Sequence, residues 1–90
     1  MHNNKERLIA MGGNAPLNNE LTNAFPMGNN GAFAARELPE ICRALGVQTL
    51  GALAAKSVTE IRGPQCRYAG NKTLDWIAAV CREFEIKPPQ

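Results

Sequence analysis

Apolar residues recur at helical spacing through the second two-thirds of the chain. In residues 32–45, Ala34, Leu38, Ile41 and Leu45 stand at i, i+4, i+7 and i+11, one face of a helix. Pro39 lacks an N–H and clashes with the preceding turn, so it belongs near a helix start. The pattern therefore predicts a helix from about Leu38 to Leu45, with a separate turn or short helix before it. Gly46 ends that helix where a positive φ costs little. Thr49 can cap a second short helix, Leu50 to Ala55, and Ser57 a third, Val58 to Arg62. Gly63-Pro64 breaks the third. Leu74, Ile77, Val80/Cys81 and Phe84 form the stripe of a last helix, capped by Asn71 or Thr73 and stopped by Pro88-Pro89. No stretch alternates with period two, so no strand is predicted.

Residues 1–30 read differently. They hold eight of the nine asparagines, with Gly12, Gly13, Pro16, Pro26 and Gly28. These residues favour turns and left-handed positions. Two apolar clusters interrupt them, Leu8-Ile9-Met11 and Leu17/Leu21/Phe25, the second spaced for one or two helical turns. The expectation is an all-α fold of four or five short helices. An irregular Asn/Gly-rich N-terminal arm, 1–30, precedes a helical domain, 31–87. The expected core is Leu38, Ile41, Leu45, Val47, Leu50, Leu53, Ile61, Leu74, Ile77, Val80 and Phe84.

Composition narrows the function. Ninety residues suffice for one modest core. No apolar run approaches the ~20 residues of a membrane span. The first sixteen residues lack the apolar stretch of a secretory signal, so a cytoplasmic location is expected. Cys42, Cys66 and Cys81 show no C-x-x-C spacing and His2 stands alone, so neither a metal nor another cofactor is expected, and the thiols are expected reduced. Nothing resembles a catalytic constellation, so no enzymatic role is expected. The net charge of +2 is small, but Arg62, Arg67 and Lys72 lie in a stretch without an acid.

The order of three blocks is distinctive. Val47 and Thr49-Leu50-Gly51-Ala52-Leu53 come first, then Ser57-Val58-Thr59-Glu60-Ile61, then Gly70-Asn71-Lys72-Thr73-Leu74 opening the last helix. Together these resemble the C-terminal domain of the bacterial RNA polymerase alpha subunit, and more broadly helix-hairpin-helix DNA-binding modules. The resemblance covers about residues 38–87. The loop from Ile61 to Gly70 is about two residues longer than the family's. Arg36 and Arg43 are the candidates for the DNA-contacting arginine of the family's first helix. The resemblance implies a helix-hairpin-helix-like arrangement and a small nucleic-acid-binding module, for instance a transcription accessory protein.

The residues make a parallel case. A glycine before a helix lets the first N–H groups approach a phosphate, and the helix dipole favours an anion there. The expected nucleic-acid contacts are Gly70, Asn71, Lys72 and Thr73, with Arg62, Arg67 and Arg43 extending the patch. Duplex DNA would be bound weakly and largely without sequence preference. The alternative is a protein-binding regulator or inhibitor on the same scaffold, without DNA contact. It would use the arm, an outward-facing Trp76 and Tyr68, and would bind a partner protein or a second copy of the chain.

Overall fold

A 16-residue helix, α3 (Asn30–Leu45), is the axis of the structure, a computed structural model that describes residues 4–90. His2 lies outside the described residues. The helix runs through Pro39 without interruption, contrary to the break expected there. Pro39 is solvent-exposed, while Ala34, Leu38 and Ile41 on the opposite stripe are buried. Burying that stripe, at roughly 1.5–3 kcal/mol for each large side chain, offsets the roughly 3 kcal/mol a mid-helix proline costs. Gly46 ends the helix at φ 66°, with the Val47 N–H returning to the Cys42 carbonyl at 3.1 Å.

Three short elements follow the expected punctuation. In α4 (Leu50–Ala54), the Thr49 hydroxyl accepts from the Ala52 N–H at 3.3 Å. In α5 (Val58–Arg62), Ser57 and Glu60 form a reciprocal capping box with bonds of 3.1 and 3.0 Å. A one-turn 3-10 segment, Pro64–Cys66, leads toward α6 (Asn71–Glu83), which packs along α3 as the principal interface.

The N-terminal segment is helical in two places, α1 (Asn4–Met11) and α2 (Asn19–Ala24). Among the described residues there are thus six α-helices, where four or five were expected, and no strand. The asparagine and glycine density of this segment marks caps and turns. Asn18 caps α2 by accepting from the Leu21 N–H at 3.3 Å, and Gly12 and Gly28 take φ of 58° and 63°. Arg7 of α1 pairs with Glu20 of α2.

The segment is stitched to the rest. Leu17 N–H donates to Gln48 O at 3.0 Å, and Leu50 N–H to Ala15 O at 2.9 Å. Gly13 and Gly51 bring the backbones of the 3-10 turn Gly12–Asn14 and α4 together, since a Cβ on Gly51 would stand 3.0 Å from Gly13 Cα. Leu8, Leu21 and Phe25 are fully buried, and Phe25 meets Phe84 at 5.5 Å between ring centroids. The core draws on both sides of residue 30.

Nine of the eleven expected core residues are buried; Leu45 and Leu74 are half-buried at its edge. The buried stripe of α6 is Thr73, Trp76, Ile77, Val80 and Cys81, continued by Phe84. That is the i, i+3, i+4, i+7, i+8, i+11 pattern; it keeps the expected Ile77, Val80, Cys81 and Phe84 and, toward the helix start, buries Thr73 and Trp76 in place of Leu74. No helix among the described residues is long and apolar enough to cross a membrane.

Candidate nucleic-acid interface

The loop joining α5 to α6 is closed by its own backbone. Tyr68 N–H donates to Arg62 O at 2.9 Å, Arg67 N–H to Pro64 O at 3.1 Å and Cys66 N–H to Gly63 O at 3.1 Å. Three successive N–H groups are therefore occupied, and the loop has no backbone cradle there for an anion. Its basic character rests on side chains, with Arg67 exposed and Arg62 half-buried. Gly63 has φ 75°, and the Tyr68 ring covers it so closely that a Cβ would stand 2.2 Å from the ring. Tyr68 is thus half-buried against its own loop.

Gly70 is the N-cap of α6, and no side chain caps this helix. Its φ of −84° suits any residue, and a Cβ would meet only a Glu37 oxygen, at 3.8 Å. The Gly70 N–H donates to Glu37 Oε1 at 3.0 Å. An acid from α3 thus sits beside the helix start. Asn71 and Lys72 are exposed, and their N–H groups lie in the first turn, which lacks intrahelical partners. Thr73 is fully buried, and its hydroxyl is the buried side-chain polar atom left without a partner among the described residues. The Thr73 side chain therefore faces the core, and its backbone N–H lies in the same first turn as those of Asn71 and Lys72.

Lys72 does not stand alone. Its Nζ lies 4.7 Å from the centroid of Phe33, and the Arg36 guanidinium carbon lies 4.7 Å from the same centroid. Two cations from different helices thus share one ring, each arrangement being a cation–π contact. Neither forms an ion pair among the described residues. Glu37, one residue past Arg36 and one turn past Phe33, puts an acid at the edge of this basic patch.

Arg43 stands apart. It lies six residues beyond Glu37, about 9 Å along α3, and pairs with Glu40 at 3.1 Å on its own exposed surface. Trp76, expected to face outward, is fully buried, with its indole N–H donating to Phe25 O at 2.7 Å. The buried stripe of α6, begun at Thr73 in place of Leu74, explains the difference.

Sequence reasoning missed Phe33 and Glu37, and named Arg36 only through the resemblance. Phe33, Arg36 and Glu37 fall at i, i+3 and i+4, a signal hidden by the break assigned to Pro39.

The Arg62 guanidinium donates to Cys66 Sγ at 4.0 Å. Burial pushes the Cys81 thiol up to about 11 and raises that of Cys42. Cys66 is exposed. A separate open groove of about 550 Å³ lies between α4, α5 and the C-terminal tail, with Lys56, Glu60 and Lys87 on its walls; no candidate residue lines it.

Comparison with known proteins finds no matching family, no similar curated protein and no similar solved structure.

Proposed function

We propose that the protein is a small nucleic-acid-binding module that grips the phosphate backbone with the basic patch at the start of α6. Lys72 and Arg36 form its centre, with Arg67 on the adjoining loop, Arg62 at the end of α5 and the Asn71 and Lys72 N–H groups at the start of α6. The observation that carries the reading is the convergence of Lys72 and Arg36 on Phe33 with no ion-pair partner for either among the described residues. Clustered like charges cost free energy, and a polyanion offsets that cost. The helix-hairpin-helix resemblance of the Gly70–Leu74 turn points the same way.

Three or four phosphate contacts give Kd values of about 10⁻⁴–10⁻⁶ M, largely independent of sequence. Affinity of that order suits a module acting beside another protein that makes its own contacts, as a transcription accessory does. Trp76 and Tyr68 do not offer a protein-binding alternative an anchor, because one is inside the core and the other lies on Gly63. The test is Lys72→Glu combined with Arg67→Glu. The double variant should lose retention on heparin and on duplex DNA while its helical circular dichroism is unchanged. Undiminished retention would refute the assignment.

A further inference from the structure

Phe33 is half-buried on α3, outside the core cluster. The protein has five aromatic residues. Phe25, Phe84 and Trp76 are in the core, and Tyr68 packs on it. Phe33 belongs neither to the core nor to the half-buried apolar side chains that lie against it. Burying a phenylalanine is worth roughly 1.5–3 kcal/mol, and this small chain leaves that gain partly unused. Arg36 and Lys72 each lie 4.7 Å from the centroid of the Phe33 ring.

A partly exposed aromatic ring beside an arginine and a lysine matches the chemistry of an unpaired nucleotide. A base offers a π-face to the ring or to the planar guanidinium, and its flanking phosphates offer charge to the two cations. A duplex keeps its bases stacked on one another and offers only phosphates to such a patch. We propose that Phe33, with Arg36 and Lys72, is a stacking site for one unpaired base of a single-stranded nucleic acid. This rests on the phosphate-binding reading above and names the strand form it prefers. The cations slide from the ring to the phosphates as the base arrives. Glu37, held on the Gly70 N–H at 3.0 Å, borders the site and limits the room for a second phosphate.

The experiment measures binding of the full chain, by fluorescence anisotropy at ~50 mM salt, to four labelled probes of equal length. These are an oligothymidine strand, an oligoadenosine strand, an abasic strand with the same phosphates, and a random duplex. The proposal expects both base-bearing strands to bind more tightly than the abasic strand and the duplex. Phe33→Leu should weaken binding of the base-bearing strands by about 5- to 150-fold, the range for loss of one stacked base. It should weaken binding of the abasic strand and the duplex much less, since Lys72 and Arg36 remain to hold phosphate. Phe33→Tyr, which keeps a stacking face, should restore the preference. Equal binding of all four probes by the wild-type protein, or Phe33→Leu binding as tightly as wild type, overturns the stacking site and leaves the phosphate reading standing. Binding to none of the probes overturns both.

Discussion

The indole Nε1 of Trp76 donates to the carbonyl oxygen of Phe25 at 2.7 Å, joining positions fifty-one residues apart. Both side chains are fully buried, so this bond ties the N-terminal segment to the last helix inside the core. Trp76→Phe removes the donor and keeps an aromatic ring. It should cost about 1–3 kcal/mol, the range for losing a buried hydrogen bond. Urea unfolding reads the loss as a lowered midpoint.

The N-terminal segment should prove necessary for folding. Leu8, Leu21 and Phe25 are among the largest fully buried side chains, and the 15–17 backbone is bonded to residues 48 and 50. Removing residues 1–28 strips these from a domain whose whole stability is of order 5 kcal/mol. The truncated chain should lose cooperative thermal unfolding. Leu8→Ala is the milder form, at about 2–5 kcal/mol. A truncation that still melts cooperatively would show the helical remainder to be an independent domain.

Two glycines should behave oppositely. A Cβ on Gly51 would come within 3.0 Å of backbone atoms of Gly13, which cannot rotate away. Gly51→Ala should destabilise by about 1–3 kcal/mol. Gly70 has an ordinary φ and open space, so Gly70→Ala should change stability by less than about 0.5 kcal/mol. Melting curves of the pair separate a glycine the fold requires from one it does not. Any weakening of nucleic-acid binding in Gly70→Ala then belongs to the interface.

Stability should fall at high pH through Cys81. Burial raises its thiol from 9.0 to about 11 in the folded protein. The folded state therefore holds the proton more tightly than the unfolded chain. Its contribution is fully present below pH 9 and is lost as pH rises toward 11. Cys81→Ala should flatten that part of the pH–stability profile relative to wild type, whatever its effect at neutral pH. A profile unchanged by the substitution would refute the linkage.

The legible parts of the sequence were those written in local chemistry. Thr49 and Ser57 act as caps, and Gly46 ends α3. Long-range arrangement was harder to read. Pro39 is a strong local breaker, and only the burial of Ala34, Leu38 and Ile41 overrides it. Asparagine and glycine look like disorder unless the turns they build carry buried residues between them, as Leu8, Leu21 and Phe25 do. A stripe begun at Leu74 turns Trp76 outward; Thr73 starts the buried stripe, and a threonine contributes little to a hydrophobic pattern. Lys72 meets Phe33 and Arg36 only through the packing of α3 on α6, which no spacing in the chain reveals.

The central claim is that a small basic patch, and not the modest net charge, binds nucleic-acid phosphate. The most direct measurement is the affinity of the purified protein for a random-sequence duplex across a salt series. With three to four phosphates neutralised, log K should fall against log salt with a slope of about −2.7 to −3.6. Lys72→Glu should weaken binding and flatten the slope. No detectable binding at ~50 mM salt and high micromolar protein, or a slope that Lys72→Glu leaves unchanged, would contradict the account.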